Sequence, residues 1–295
     1  MRADASNAYP LPNFFAVGPP RTGTTWLYEV LREHANLPRY NKETRFFDTY
    51  YWKGLAWYAA HFDRSDANRP LGDICPTYFY SDEARARIAE LAPGAKIICT
   101  FRDPVVRVFS LYRIKRAHGW MQWSFEEALI RDPELLISAR YALYLSKWRD
   151  ALGNDSVLAA ISDDLLLDPQ AYLDRIVDFI GIPRFTLGQA HIGRVNSAEG
   201  LSEPRNIVWT RLAATTAEWL KAHHGGRLVA AAKKSILGGL FLGGGAKMAP
   251  LDPTTAARLR ERFRPEVEQL ESILGRDLSP WKAAPSSGSA NSCSS

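Results

Sequence analysis

The sequence contains little cysteine, and the three cysteines that it has are far apart. Cys75, Cys99 and Cys293 are an odd number in a chain of 295 residues, so they do not make up the disulfide framework that stabilises small secreted domains. They also lack the paired spacing of a structural zinc site. This pattern favours a reducing compartment and gives no indication of a bound metal.

Long hydrophobic runs are also missing. No stretch approaches the roughly 20 apolar residues that a membrane-spanning helix needs. The first residues, MRADASNAYPLPNFF, contain no apolar segment of the kind found in a signal peptide. We therefore expect a soluble protein in the cytoplasm.

A strong excess of charge of one sign is the third absence. The net charge of +5 is small for this length and does not come from one dense basic segment, which argues against nucleic acid as a partner but leaves small anionic ligands possible. The 46% of hydrophobic residues is enough for a large core. We expect a single domain over residues 1–283, followed by a small, polar tail over 284–295 that is predicted to be disordered.

Short apolar runs alternate with segments of helical spacing along the chain. The runs at 14–17, 95–101 and 156–161 are typical of buried strands, and each is closely followed by a helical segment. This alternation predicts an α/β fold with a central parallel sheet flanked by helices on both faces. Further helices are predicted over 81–92, 125–131, 134–151, 168–180, 207–222 and 253–274.

The first strand leads into a glycine-rich turn, GPPRTGTT, at residues 18–25. Gly18 and Gly23 have the spacing of a nucleotide phosphate-binding loop, but Thr24 stands where that loop carries its lysine. A helix that begins near Thr24 would direct unpaired N–H groups and the positive end of its dipole toward an anion. A sulfuryl group needs less neutralisation than a γ-phosphate with its magnesium, and Arg21 could supply the one cation. The alternative is a structural turn with threonine caps.

A second segment, KIICTFRDPVVRVFSLYRIKR, reads as a strand followed by a helix. Arg102 ends the strand, while Asp103 and Pro104 are typical of the first positions of a helix. Ligands of open α/β sheets bind at the carboxyl ends of strands, so Arg102 would lie beside the first turn if the two strands are neighbours. Ser110, about two helical turns further on, could face the same crevice and complete a second phosphate site. The alternative is an Arg102–Asp103 pair and a serine bonded to its own helix.

Together, GPPRTGTTWL and RDPVVRVFS resemble the two nucleotide-binding motifs of the sulfotransferases that use 3'-phosphoadenosine 5'-phosphosulfate (PAPS). The resemblance implies a P-loop NTPase-like sulfotransferase fold and metal-free transfer of a sulfuryl group from PAPS to an acceptor hydroxyl or amine. It also implies that Arg102 and Ser110 hold the 3'-phosphate. The 5'-phosphosulfate would be held by Arg21, Thr22, Gly23, Thr24, Thr25 and Trp26.

The loop cation of that family is usually lysine, and here it is Arg21. Arginine keeps its charge more firmly and binds oxyanions as a fork, so Arg21 can stabilise the bridging oxygen of the donor. The same property makes it a poorer proton donor to that oxygen.

The segment NKETRFFD, at 41–48, resembles the carbohydrate branch of the family, which includes the heparan-sulfate-type enzymes. The resemblance makes Glu43 the general base that accepts the acceptor's proton, with Lys42 orienting it or contacting the acceptor. Other branches use histidine, and His61 is the alternative base among the six histidines of the chain.

Two later segments also resemble that branch. FRPEVEQLESILGRDLSPW resembles its C-terminal end, and DICPTYFY, at 73–80, resembles the segment after the base. In DICPTYFY, Asp73 and Ile74 replace a glutamate and a lysine, which weakens the case for an anionic sugar as the acceptor. A carbohydrate, a glycolipid or another small molecule therefore remains open as the acceptor.

Two segments carry further hypotheses. The polar stretch 191–206 includes Arg205 and stands where sulfotransferases have a loop that closes over the nucleotide, with an exposed connection as the alternative. The apolar, glycine-rich stretch 230–250 could rest at a lipid surface or contact a lipid-linked acceptor, with a buried helix as the alternative.

Two other functions remain open at this point. One is a P-loop kinase of small molecules, which the missing lysine disfavours. The other is a nucleotide-binding module that has the fold without catalysis.

Overall fold

The computed structural model describes residues 9–63, 66, 68–192, 202–204, 206–222 and 244–283. The predicted disordered tail and most of the stretch 230–250 lie outside these residues. No helix among those that are described is long and apolar enough to cross a membrane.

A four-stranded parallel sheet organises the described chain. Its strands are β1 (Phe14–Ala16), β2 (Gly72–Ile74), β3 (Lys96–Phe101) and β4 (Val157–Ile161), and they lie in the order β2-β1-β3-β4. The three strands predicted from apolar runs are confirmed, and so is their parallel arrangement. β2 was not predicted, because its sequence GDI is short and carries a charged residue in the middle.

Helices follow the strands and cover the sheet. Short 3₁₀ turns are found at Tyr51–Lys53, Pro76–Tyr80 and Asn154–Ser156, a π-helical turn at Phe46–Tyr50, and an antiparallel pair of short strands at Ser202–Pro204 and Gly244–Lys247. The helices are α1 (Thr24–Leu31), α2 (Gly54–Ala59), α3 (Asp82–Leu91), α4 (Pro104–Ala117), α5 (Phe125–Arg131), α6 (Glu134–Ile137), α7 (Tyr141–Leu152), α8 (Ser162–Leu167), α9 (Pro169–Ile180), α10 (Gln189–Ile192), α11 (Ile207–Ala222), α12 (Pro253–Leu274) and α13 (Ser279–Lys282).

The single helix predicted over 134–151 is wrong, because the chain breaks between α6 and α7. The fully buried guanidinium of Arg107 donates to the hydroxyl of Ser138 (3.0 Å) and to the carbonyl of Leu135 (2.9 Å) at this break. A continuous helix would engage the Leu135 carbonyl in its own hydrogen bond, four residues on. A tertiary contact that the local sequence does not reveal therefore overrides the helical pattern.

Alternating side chains of the strands supply two cores, one on each face of the sheet. On one face, Phe14, Ala16 and Ile98 pack with apolar residues of α1 and α9. On the other face, Phe15 and Ile97 pack with residues of α3, α4, α7 and α12. The predicted coverage of both faces by helices is thus confirmed.

The C-terminal helix α12 is part of the second of these cores. Leu259, Phe263, Val267 and Leu270 are buried in it. The carboxylate of Glu266 accepts hydrogen bonds from the first amides of α7, at 2.7 Å from Ala142 N and 3.3 Å from Leu143 N.

Polar contacts hold Arg276 and Trp281, which follow α12, against two carboxylates. Arg276 binds both carboxylate oxygens of Asp164 at 2.6 Å, and the indole of Trp281 donates to Asp163 at 2.7 Å. Both carboxylates belong to α8, which follows β4 directly. Residues 276–281 therefore lie near the carboxyl end of β4, where α8 begins.

Candidate active site

The turn after β1 lies flush against β3. A Cβ atom on Gly18 would come within 2.1 Å of the hydroxyl oxygen and 2.4 Å of the backbone nitrogen of Thr100, so glycine is required there. The hydroxyl of Thr22 donates to the carbonyl of Pro19 (2.7 Å) and shares a hydrogen bond with Thr100 (2.6 Å). The side chain of Thr22 therefore fixes the turn, which leaves its backbone N–H as the group that could reach a ligand.

The backbone of this turn adopts left-handed conformations at two positions, with φ of 77° at Arg21 and 96° at Gly23. Gly23 is the N-cap of α1 and provides no side-chain cap. Among the described groups, the N–H groups from Arg21 to Trp26 donate to no backbone carbonyl. Since the first amides of a helix lack intrahelical partners, this turn can receive an anion.

The second predicted motif meets this turn directly. The guanidinium Nε of Arg21 donates to the hydroxyl of Ser110 on α4 at 2.9 Å. The strands β1 and β3, which carry the two motifs, are neighbours in the sheet. The predicted adjacency of the strands is thus confirmed, and Ser110 faces the crevice between them.

Positive charge converges on this crevice. Burial lowers the pKa of Arg21, and the nearby guanidinium groups of Arg102 and Arg113 lower it further, while Glu43 opposes them. A set of cations that repel one another favours the binding of an anion.

The alternative role for Arg102, a pair with Asp103, is not observed. Asp103 accepts hydrogen bonds from Val105 N (2.8 Å) and Val106 N (3.2 Å) and lies 3.7 Å from Arg260. The carboxylate thus caps α4, as predicted from its position. In the described part of the chain, the guanidinium of Arg102 forms no ion pair.

The other residues of the turn that were predicted to hold the sulfuryl donor differ in whether they line a cleft. Thr24 and Thr25 line a cleft next to Arg21. Trp26 does not, because its indole is buried against Tyr172 and donates to the carbonyl of His191 at 2.9 Å. A contact between Trp26 and a donor would have to come from its backbone. Arg205 lies outside the described residues.

The cleft beside the turn has a volume of about 1020 Å³. Lys42 and Glu43 line it together with Arg21, and the ammonium of Lys42 lies 2.8 Å from the carboxylate of Glu43. Lys42 also donates to the hydroxyl of Thr24 at 3.3 Å. The three residues predicted to be catalytic thus line one cleft.

A buried carboxylate supports the segment that carries Glu43. Asp73, on β2, accepts hydrogen bonds from the hydroxyls of Thr44 (2.8 Å), Tyr58 (2.9 Å) and Tyr78 (3.2 Å). Burial raises the pKa of Asp73 to about 7, although the three hydroxyls counteract this rise. Because Thr44 follows Glu43 directly, Asp73 fixes the backbone next to the predicted base.

His61, the alternative base predicted from the sequence, lies away from the cleft. His61 is buried at the end of α2, with Nδ1 3.0 Å from the carbonyl of Trp57, and does not line the cleft. His34 stacks on Phe185 at 3.5 Å between ring centroids. Among the described residues, His118 is the histidine that lines the cleft. His118, rather than His61, is therefore the alternative base that the geometry supports.

The cleft is also lined by acidic side chains that the sequence did not single out. Lys115 lies 2.5 Å from the carboxylates of both Asp132 and Glu134. Glu134 also accepts a hydrogen bond from the hydroxyl of Tyr80 at 2.5 Å. Lys115 lies on α4, whereas Asp132 follows α5 and Glu134 begins α6, so only tertiary structure brings the lysine to the two carboxylates.

The sulfotransferase domain family matches residues 11–192 of the chain. The chain is 27% identical over 299 residues to the bifunctional heparan sulfate N-deacetylase/N-sulfotransferase 4 of Mus musculus, and this match covers 92% of the chain and 31% of the relative. It is 32% identical over 183 residues to the heparan sulfate glucosamine 3-O-sulfotransferase 3B1 of the same species, covering 59% of the chain and 47% of the relative. The chain thus spans less than half the length of either relative.

The fold also has a counterpart among solved structures. The sulfotransferase from Alicyclobacillus acidocaldarius aligns with a TM-score of 0.65 at 20% identity, over 92% of the chain and 99% of that structure. This likeness extends the shared fold well beyond the matched residues, to most of the described chain.

Proposed function

Because the chain belongs to the sulfotransferase domain family, we propose that it transfers a sulfuryl group from PAPS to a hydroxyl or amine of an acceptor. The observation that carries this proposal is the 2.9 Å contact between Arg21 Nε and Ser110 Oγ. It brings the two predicted donor motifs within reach of one nucleotide.

The donor side of the site, where the turn after β1 meets Ser110 of α4, suits the two anionic groups of PAPS. Arg102 and Ser110 would hold the 3'-phosphate, and the amides of the turn with Thr24 and Thr25 would hold the 5'-phosphosulfate. The convergence of guanidinium groups on Arg21 and the N–H groups without backbone partners at the start of α1 support this assignment, since both favour bound anions.

Transfer would proceed by in-line displacement at sulfur. Glu43 accepts the proton of the acceptor hydroxyl while the acceptor oxygen forms its bond to sulfur. The bond between sulfur and the bridging phosphate oxygen breaks, and Arg21 with the turn amides stabilises the charge on the departing 3'-phosphoadenosine 5'-phosphate (PAP). Lys42, 2.8 Å from Glu43, keeps that carboxylate oriented toward the cleft.

A transfer assay tests the proposal. Purified protein is incubated with sulfur-35-labelled PAPS and fractionated extract of the source organism, in the presence of EDTA, and labelled products are identified. We expect labelled product that depends on the protein and survives the chelator. Arg102→Ala should weaken PAP binding, whereas Arg264→Ala, on an exposed pair with Glu261, serves as the matched control.

Two outcomes would overturn the proposal. Magnesium-dependent turnover of ATP without transfer from PAPS would identify a small-molecule kinase. Tight PAP binding without labelling of any fraction would identify a nucleotide-binding module. A location in the cytoplasm is part of the proposal and would be tested by fractionation of the source cells.

A further inference from the structure

We propose that the acceptor is uncharged, and that the cleft selects against polyanionic sugar chains. This inference rests on the proposed function, because it concerns the acceptor side of the same cleft. It is a statement about this chain's own charges, and it separates the chain from the heparan sulfate enzymes to which it is similar.

Carboxylates outnumber cations on the acceptor side. When Arg21 is assigned to the donor, the cations of the described lining are Lys42, Arg45 and Lys115. The carboxylates of the same lining are Glu43, Asp48, Asp132, Glu134 and Glu218. These three positive and five negative side chains sum to a net charge of −2.

Each of the three cations already has a carboxylate as its neighbour. Lys42 is paired with Glu43 at 2.8 Å, and Lys115 lies 2.5 Å from two carboxylates. A sulfate or uronate of an acceptor would have to displace one of these carboxylates before it could form an ion pair. The displaced carboxylate would then lie beside another anion.

The positive charge of the third cation, Arg45, is stabilised by nearby carboxylates. Burial alone would lower its pKa, but the negative charges of Asp48 and Glu218 are among the groups that raise it above its usual value. Arg45 is thus stabilised by carboxylates that also line the cleft. In the described lining, the acceptor side offers no cation that lacks such a neighbour.

Aromatic surface at the cleft indicates what the acceptor would contact instead. Tyr40 and Trp120 line the cleft and are 42% and 45% exposed. Aromatic faces of this kind pack against the apolar faces of neutral sugar rings or other uncharged groups. The acceptor class is therefore an uncharged, hydroxyl-bearing molecule with a ring or apolar surface.

Negative charges on a polyanionic acceptor and on the carboxylates of the cleft repel each other. Salt at about 0.1 M screens such repulsion over about 10 Å. A polyanion repelled by the cleft should therefore bind better as salt is added, which is the opposite of an ordinary basic binding site.

The test compares two oligosaccharides of equal length on PAP-loaded protein by calorimetry. One is a heparosan oligosaccharide, which carries a carboxylate on every second sugar, and the other is a neutral oligomer of N-acetylglucosamine. The triple variant Asp132→Asn, Glu134→Gln, Glu218→Gln turns the acceptor side from net −2 to net +1. We expect the variant to bind the heparosan oligosaccharide at least about tenfold more tightly than the wild type, a difference of about 1.4 kcal/mol.

The neutral oligomer is the control, and its affinity should be the same for the wild type and the variant. Equal heparosan affinity for the two proteins, or wild-type heparosan binding that weakens as salt rises, would overturn the inference. If the triple variant does not fold, two other measurements test the inference in its place. They are the heparosan affinity of Glu218→Gln and the salt dependence of heparosan binding by the wild type.

Failure of this inference and failure of the proposed function give different results. A protein that transfers sulfate from PAPS to heparosan would keep the function and overturn the inference. A protein that binds PAP and discriminates against heparosan but transfers nothing would do the reverse.

Discussion

The proposed donor end and acceptor end of the site are built in opposite ways. The proposed donor end comes from two continuous stretches of chain, 18–25 and 102–110, that follow the neighbouring strands β1 and β3, and its guanidinium groups repel one another. The proposed acceptor end comes from separate segments, and its cations lie against carboxylates. Like charges held together favour a bound anion, whereas paired charges favour a neutral ligand.

We expect this difference to let one fold keep a fixed donor and vary its acceptor. The proposed donor contacts depend on the backbone after β1 and β3, where a change such as a side chain on Gly18 would collide with Thr100. The proposed acceptor contacts depend on side chains that can be exchanged without moving the sheet. Substitutions at the two ends should therefore have separable effects on nucleotide binding and on transfer.

The largest effect is expected from the acceptor end. Glu43→Gln removes the predicted base and should lower kcat by a factor of about 10² to 10⁴, while the affinity for PAP stays unchanged. Initial rates with labelled PAPS and calorimetry with PAP measure the two quantities. His118→Asn and His61→Asn are the matched variants and should turn over at close to the wild-type rate. Normal turnover by Glu43→Gln would show that the base has been assigned incorrectly.

The next largest effect is expected at the donor end. Arg21→Ala removes the cation next to the leaving oxygen and should lower kcat by a factor of about 10² to 10³, as for the loss of one donor to a developing oxyanion. Arg21→Lys, which has the usual residue of the family, should recover most of the rate. If both variants are equally slow, the fork of the guanidinium, and not its charge, is the property that the site uses.

A smaller effect separates the two phosphates of the donor. Arg102→Ala should weaken PAP binding by about 1.5 to 3 kcal/mol, the range for a hydrogen bond to a charged group. Binding of adenosine 5'-phosphate, which has no 3'-phosphate, should stay the same in this variant. Equal losses for both nucleotides would show that Arg102 does not contact the 3'-phosphate, and Arg264→Ala controls for a general loss of charge.

The smallest effect is expected from Asp73, which accepts a hydrogen bond from Thr44 next to Glu43. Burial raises the pKa of Asp73 to about 7, so the folded state keeps this proton over a range in which the unfolded state releases it. The free energy of unfolding contributed by Asp73 should therefore fall as pH rises, by about 1.4 kcal/mol between about pH 5 and pH 6. The side chain introduced by Asp73→Asn does not titrate. Urea denaturation of both proteins should therefore show the free energy of unfolding of the wild type falling relative to that of Asp73→Asn over that range.

A constant difference between wild type and Asp73→Asn would contradict the prediction. It would mean that Asp73 is ionised in the folded protein even at the lower pH. The hydroxyls of Thr44, Tyr58 and Tyr78 would then outweigh the effect of burial.

The sequence predicted the sheet well where the strands are apolar and poorly where they are not. The run at 95–101 became β3 with its boundary one residue away, because a buried parallel strand needs apolar side chains on both faces. β2 escaped notice because three residues with a central aspartate form no such run. The break between α6 and α7 depends on Arg107, which is about 30 residues away in the chain.

The same reasoning explains what could be predicted of the site. The donor motifs are contiguous, so the type and spacing of residues such as Arg21 and Ser110 carried the information. The acceptor carboxylates Asp132, Glu134 and Glu218 are ordinary charged residues in their local context, and exposed charges are the norm. Only the fold brings them to the same cleft, and no spacing rule within one segment would have found them.

The packing of α12 also has a practical consequence for anyone who shortens this protein. The family match ends at residue 192, but Leu259, Phe263, Val267 and Leu270 fill the core beside α4 and α7. A fragment cut at the end of the match would leave those apolar surfaces open to water and prone to aggregation. The smallest fragment suitable for recombinant work should therefore extend at least through Trp281.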